Sequence, residues 1–175
     1  MSSNERIREL RIENKKLKDQ VEKLEDRVLK LVGSVEFQIS NNGLINEDIL
    51  TLFNETKQKI DLLTPKIDKF YINELKRLAD NGIEVRVILK DRSLIPTDYI
   101  PFFDELKSIS NITMVTNPNI KNLVIFNEKR GLYAGMALDK DELEKASVIE
   151  TMVNETSKVS KLQQYFDIYL PSFMR

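Results

Sequence analysis

Apolar residues in the first part of the chain recur at alternating intervals of three and four positions. The run continues without proline or glycine as far as Gly33. This heptad spacing is typical of a coiled coil, in which two sets of residues face a partner helix. The sets are Ile7, Asn14, Val21 and Val28 at heptad position a, and Leu10, Leu17, Leu24 and Leu31 at position d. We therefore predict that residues 1–33 form a dimerisation helix of the leucine-zipper type.

The residues at position a indicate how many helices associate and in which direction. β-Branched residues at a with leucine at d favour two parallel strands. Asn14 places an amide in the apolar seam, which lowers stability unless an asparagine of the partner hydrogen-bonds to it, and this pairing selects the parallel dimer. We expect a parallel homodimer. An amphipathic helix packed against its own domain is the alternative, and an added dimerisation tag would carry the same pattern.

The remaining segment, residues 34–175, alternates strand-like and helix-like stretches. Short apolar runs predict strands, and runs with helical spacing separate them. The predicted strands are 35–39, 60–64, 83–89, 112–116, 123–126, 131–135 and 148–152, and the predicted helices are one capped by Asn46, 69–81, 99–108, 139–145 and one capped by Asn154. The strand–helix rhythm favours right-handed crossovers between parallel strands, and residues 127–130 predict a hairpin turn. We expect an α/β domain whose mixed, mainly parallel sheet is flanked by helices.

The composition limits the chemistry that this chain can perform. Its 175 residues include no histidine and no cysteine. Imidazole and thiolate catalysis are therefore excluded, as are metal sites built on these ligands, and we expect no cofactor. The net charge of −1 is far from the basic surface that binds DNA mainly through phosphates. No apolar run approaches the roughly 18 residues of a membrane helix, so we expect a cytoplasmic protein without membrane contact.

Several phrases of the second segment carry a resemblance to a known family. They are Ile60–Pro65 (IDLLTP), Glu74–Leu89 (ELKRLADNGIEVRVIL), Asn122–Asn127 (NLVIFN) with Gly135, and Gln164–Asp167 (QYFD). On these phrases, residues 35–173 resemble the phospholipase-D-like fold, and within it the effector-binding half of TrmB-type archaeal transcription regulators. The resemblance implies transcription regulation through a bound sugar. Such regulators place a winged DNA-binding domain and a coiled coil before this fold, and this sequence has the coiled-coil pattern alone.

The resemblance also indicates where catalytic residues would stand. Catalytic members of the phospholipase D family carry a His-x-Lys motif that is followed, after four residues, by Asp. In this sequence Ile120, Asn122 and Asn127 occupy the three places. Because the covalent nucleophile of the family is the histidine, the resemblance implies a non-catalytic domain, a pseudoenzyme without catalytic residues.

Ligands of open α/β sheets bind beyond the carboxyl ends of the parallel strands. Three predicted loops at those ends carry polar side chains that suit a sugar or a phosphorylated metabolite. The candidate ligand-binding residues are Thr64, Lys66, Lys90, Asp91, Arg92, Asn117 and Asn119. Ordinary solvated turns would have the same composition.

Three functions stay open on this evidence. The first is a non-catalytic dimeric regulator or adaptor that binds a small effector or a protein partner. The second is a DNA-organising protein or scaffold that uses the same domain for docking, which the balanced charge disfavours. The third is an enzyme that uses only Asp, Glu, Lys, Ser or Tyr side chains.

Overall fold

The computed structural model describes the backbone of residues 3–32 and 35–175, and the side chains of residues 6–7, 9–24 and 35–175. The chain divides into two units, Met1–Ser34 and Val35–Arg175. The first unit is a single helix, α1 (Ser3–Val32), built from strong helix formers. The described seam residues of α1, from Ile7 to Leu24, are about half exposed. The side chains of Val28 and Leu31 lie outside the described residues.

Within residues 35–175, the second unit is a sheet of seven strands with helices on both faces. The strands are β1 (Val35–Ser40), β2 (Lys59–Thr64), β3 (Glu84–Leu89), β4 (Ile112–Thr116), β5 (Leu123–Asn127), β6 (Gly131–Ala134) and β7 (Val148–Val153). The helices are α2 (Leu44–Glu55), α3 (Lys69–Asp80), α4 (Ile100–Ser108), α5 (Lys140–Lys145) and α6 (Thr156–Tyr169). No helix in the described part of the chain is long and apolar enough to cross a membrane.

The order of the strands across the sheet is β1-β7-β6-β5-β2-β3-β4. In this sheet β2, β3 and β4 are parallel neighbours, whereas the other four pairings are antiparallel. The expectation of a mainly parallel sheet is therefore wrong. The strand–helix rhythm holds only from β2 to β4. The chain reverses between β4 and β5, so β5 lies antiparallel beside β2. Strand β1 lies next to β7, at the edge of the sheet opposite β4.

Two predicted helix caps are also wrong. Helix α2 begins after Gly43, whose φ of 79° is left-handed, and the Ser40 hydroxyl accepts from the Ile45 amide at 2.6 Å. Asn46 instead lies buried within α2, where its side-chain oxygen accepts a hydrogen bond from the Tyr71 hydroxyl. The cap of α6 is at position 155, and Asn154 accepts from Arg130. Ser40 thus serves the first turn of α2, whereas Glu155 makes no side-chain cap hydrogen bond at α6. Both asparagine side chains make tertiary contacts instead.

An apolar layer lies on each face of the sheet. Helices α2 to α5 pack on one face, around residues such as Leu62 and Ile125. Helix α6 and the chain that follows it pack on the other face, around Leu63, Val124 and Phe166. Successive residues of a strand point to opposite faces, which is why Leu62 and Leu63 belong to different layers. The loops that follow β2 and β3 lead into the first turns of α3 and α4.

Candidate functional site

A cavity of about 500 Å³ lies beside the loop that follows β2. Three helices begin at its wall, and their cap residues Asp68, Tyr99 and Asp139 all line it. The complete lining is Asp68, Lys69, Phe70, Asp98, Tyr99, Phe102, Asp139, Lys140 and Asp141. The cavity therefore combines aromatic rings with carboxylate and ammonium groups.

Asp68 joins the first turns of α3 and α5. Its carboxylate accepts from the Tyr71 amide at 3.0 Å and from the Lys140 amide at 2.8 Å. The Asp68 amide in turn donates to the Leu138 carbonyl at 3.1 Å. Burial raises the pKa of Asp68, and the nearby carboxylates of Asp139 and Asp141 act in the same direction, although the two backbone amides oppose them. This wall of the cavity is thus fixed by backbone and capping contacts.

Tyr99 joins α4 to α5 on the neighbouring wall. Its hydroxyl donates to the Asp139 carboxylate, which also accepts from the Glu142 amide at 2.9 Å. The Lys66 ammonium lies 4.0 Å from the centroid of the Tyr99 ring and pairs with Glu142. Burial lowers the pKa of Lys66, but its hydrogen bonds to Glu142 and Tyr99 outweigh burial and raise that pKa above its ordinary value. Lys66 therefore stays charged and packs against the Tyr99 ring from outside the cavity.

Two of the predicted ligand residues, Thr64 and Lys66, lie in the loop beside the cavity. Thr64 is buried at the end of β2, where its hydroxyl accepts from the Leu138 amide at 2.9 Å and donates to the Lys66 carbonyl at 2.8 Å. Neither Thr64 nor Lys66 lines the cavity. Both hold the loop that shapes it.

The other predicted ligand residues lie elsewhere. Arg92 forms two hydrogen bonds with the exposed carboxylate of Asp104, at 2.8 and 2.9 Å, next to the half-buried Lys90 and Asp91. Asn117 donates to the Tyr169 carbonyl at 3.3 Å, at the end of α6, and accepts from the Asn119 amide at 3.0 Å. None of these five residues lines the cavity.

Sequence reasoning missed the residues that do line the cavity. Asp68 precedes the predicted helix 69–81 and Asp139 begins the predicted helix 139–145, and an aspartate at a helix start is a recognised cap signal. This signal locates a helix end but does not show that two caps face each other. The aromatic members Phe70, Tyr99 and Phe102 lie within the predicted helices 69–81 and 99–108, where an aromatic residue ordinarily indicates packing.

The positions that the resemblance relates to the His-x-Lys…Asp motif have packing and turn roles in this fold. Ile120 is buried in the layer under α6, together with Phe166 and Leu170. Asn127 accepts from the amides of Lys129 and Arg130, both at 2.9 Å, and so forms the turn between β5 and β6. At two of the positions that the resemblance relates to the motif, the chain thus has a buried apolar side chain and a turn-forming amide.

A second polar cluster lies at the opposite end of β2, under α6. The buried carboxylate of Asp61 accepts two hydrogen bonds from Arg86, at 2.6 and 2.7 Å, and pairs with Lys59 at 3.0 Å. The Arg86 guanidinium also lies 5.1 Å from the centroid of the Phe166 ring. These contacts leave the Asp61 carboxylate fully engaged, so the cluster serves the packing of α6 against the sheet.

The fold is shared with proteins of the phospholipase D class. Nuc, a phospholipase D family member from Salmonella typhimurium, superposes with a TM-score of 0.66 over 78% of this chain and 93% of its own, at 15% identity. NucT from Helicobacter pylori gives a TM-score of 0.63 over 77% of this chain and 95% of its own, at 12% sequence identity. TrmBL2, an archaeal chromatin protein that shows a novel mode of DNA binding, gives 0.57 over 95% of this chain and 64% of its own, at 14% identity.

These comparisons confirm the expected phospholipase-D-like fold, in which a mixed, mostly antiparallel sheet is flanked by helices. No family model matches the sequence, and no curated protein does so either.

Proposed function

We propose that this protein is a non-catalytic dimeric regulator or adaptor, acting in transcription regulation, whose phospholipase-D-like domain binds a small polar effector. The cavity at the first turns of α3, α4 and α5 carries the proposal. It lies near the end of β2, as the general rule for ligands of such sheets predicts, and its walls are held by caps and ion pairs. A volume of about 500 Å³ suits a ligand the size of one or two sugar rings.

The charges of the lining favour a neutral effector. Four aspartates and two lysines line the cavity, so a phosphorylated ligand would meet a net negative wall. A sugar can pack its C–H face against Phe70, Tyr99 or Phe102 and donate its hydroxyls to Asp98 and Asp141. Apolar ring surface with a few placed polar groups is the usual lining of a small-molecule site.

The absence of histidine supports the non-catalytic part of the proposal. The phosphatidyl-enzyme chemistry of the phospholipase D family needs a histidine nucleophile, and this sequence has none. Ile120 and Asn127, at two of the motif positions, are engaged in packing and in a turn.

The seam of α1 supports the dimer. Its leucines and β-branched residues are half exposed over the described part of the helix, so a partner helix would bury them. In a parallel pair, Asn14 would face Asn14 of the partner, and Glu13 would lie within reach of the partner's Lys18.

Titration calorimetry tests effector binding. The full chain would be titrated with a panel of neutral sugars and with the matching sugar phosphates, and we expect binding of a neutral sugar only. Asp98→Asn together with Asp141→Asn should weaken that binding at least tenfold, because both carboxylates accept its hydroxyls. Asp80→Asn, an exposed substitution outside the cavity, is the control and should bind normally. Equal binding by both variants, or preference for the phosphates, would contradict this assignment.

The likeness to TrmBL2 supports a second candidate, a DNA-binding or DNA-organising role for the same dimer. Fluorescence anisotropy with labelled duplex DNA at low salt separates the two functions, since phosphate-driven binding is strongest there and weakens steeply as salt rises. Binding that follows this salt dependence would favour the chromatin-type role. No change in anisotropy at low salt would leave the effector-binding regulator.

A further inference from the structure

One face of the sheet is only partly covered. Helix α6 packs over β5 and β2, around Leu63, Val124 and Phe126. On the same face, β1 and the parts of β7 and β6 that lie beyond α6 are exposed. Its large apolar side chains have exposed fractions of 76% for Phe37, 68% for Ile39, 67% for Ile149 and 38% for Tyr133. We refer to these four residues as the β1 patch.

The strand register makes the patch continuous. Ile39 is paired with Ile149, and Thr151 is flanked by Phe37 on one side and by Tyr133 on the other. No charged side chain interrupts these positions, so covering them would desolvate few polar groups. The polar residues of β1, Glu36 and Gln38, alternate to the opposite face. This arrangement is the reverse of an ordinary edge strand, which presents charge to solvent.

We propose that the β1 patch is covered by the β1 patch of a second copy of this chain, as a second contact of the dimer. The inference rests on the dimer of the proposed function. Residues 33 and 34 alone separate α1 from β1, so a zipper formed by α1 brings the two β1 strands together at high effective concentration. A parallel zipper has a two-fold axis along its length, and the same axis relates the two patches, which makes the contact isologous.

The size of the patch agrees with a tethered contact. Four side chains exposed to these extents present on the order of 400 Å² of apolar surface. A stable interface needs roughly 800 Å² from each partner, so the patch is too small to form a dimer unaided. Joined to a zipper, it adds apolar burial without a further loss of translational freedom.

Sedimentation velocity of the full chain over a dilution series tests the contact. The double variant Phe37→Ser with Ile149→Ser should raise the dimer dissociation constant at least tenfold, because both copies lose apolar contacts. The matched control is Phe173→Ser with Ile168→Ser, which removes the same residue types from positions exposed to 86% and 63% outside the patch. The control should leave the dissociation constant within twofold of the unmodified chain.

Three outcomes would overturn the proposal. The first is an unchanged dissociation constant in the patch variant while the unmodified chain is dimeric, which leaves the zipper dimer intact. The second is a fall in the unfolding midpoint that is the same at every concentration, which would mean that the patch is covered within one chain. The third is an unmodified chain that is monomeric throughout, which would also remove the dimer of the proposed function.

A cross-linking experiment gives an independent readout. Because the chain has no cysteine, Ile39→Cys introduces a unique thiol. A short bis-maleimide should link two Ile39→Cys chains into a covalent dimer much faster than two Ile168→Cys chains. Equal rates for the two variants would overturn the patch contact even if the serine variants fold poorly.

Discussion

Glu150 and Asp48 share one hydrogen-bond donor, the side-chain amide of Gln38, which reaches Glu150 Oε1 at 2.5 Å and Asp48 Oδ2 at 2.8 Å. The three residues come from β7, α2 and β1, so this contact fastens the edge strand to the helix behind it. Burial, with the hydrogen-bonded carboxylate of Asp48, raises the pKa of Glu150 to about 7. At acidic pH Glu150 is protonated and can donate to Asp48, whereas above neutrality two carboxylates face each other.

Stability should therefore fall as the pH rises through this range. Because the pKa of Glu150 is higher in the folded than in the unfolded chain, the protonated carboxyl adds to the free energy of unfolding. This contribution is fully present below the unfolded pKa, near 4.5, and is lost as the pH rises through about 7. The loss should amount to about 1–3 kcal/mol. Urea denaturation at pH 5 and pH 8 measures it. Glu150→Gln should flatten the difference, while Glu36→Gln, on the same sheet but exposed, should keep it. An equal pH dependence in all three proteins would show that Glu150 is ionised at both values.

The Asp61–Arg86 pair offers a comparison between a buried and an exposed ion pair of the same geometry. Arg86→Met leaves the Asp61 carboxylate buried, although Lys59 still pairs with it, and should cost about 3 kcal/mol of unfolding free energy. Arg92→Met breaks the exposed two-bond pair with Asp104, which solvent screens, and should leave the unfolding free energy nearly unchanged. Denaturant titration of both variants measures the difference. Similar losses would mean that solvent reaches Asp61 in the folded protein.

Gly131 should tolerate a side chain poorly. A Cβ there would lie 2.3 Å from Leu162 Cδ1 and 3.1 Å from Phe126 Cβ, so the Leu162 side chain would have to change its rotamer or α6 would have to shift. We expect Gly131→Ala to destabilise the domain by about 1–3 kcal/mol, measured as a fall in the thermal midpoint. In a protein that already carries Leu162→Ala, Gly131→Ala should lower the thermal midpoint by less than it does in the unmodified chain. Gly135→Ala, where no atom lies within 4 Å, is the control. A midpoint that falls equally in both alanine variants would point to backbone effects instead.

In the proposed zipper, Asn14 should lower the stability while it selects the parallel dimer. Asn14→Val replaces the amide with a β-branched side chain, which should raise the thermal midpoint and allow species larger than dimers. Light scattering coupled to gel filtration reports the species, and circular dichroism reports the midpoint. A lower midpoint with an unchanged species would show that Asn14 does not face its counterpart.

Local chemistry predicted the individual elements well. The apolar run that contains Leu62 and Leu63 is a buried strand, Gly82 has the left-handed φ of 81° expected after α3, and residues 127–130 form the hairpin turn. A continuous apolar run is the same whether its neighbour is parallel or antiparallel, so the pairing of β2 with β5 could not be inferred from it. The cavity depends on such distant pairings. Tyr99 and Asp139 meet because α4 and α5 begin at the same place, and no short pattern records that meeting.

Strand β1, the first in the chain, pairs with β7, the last strand to be synthesised. Val35 is paired with Val153, so β1 has no strand beside it until β7 has been synthesised. Helix α1 precedes β1, and in the proposed dimer its partner is another copy of itself, which nascent chains on one polysome provide. Association through α1 would then come before the domain closes, and two unpaired, apolar β1 strands would be held next to each other during synthesis. Such strands are aggregation-prone. Slow translation between β1 and β7 should therefore lower the soluble yield more than the same delay after β7.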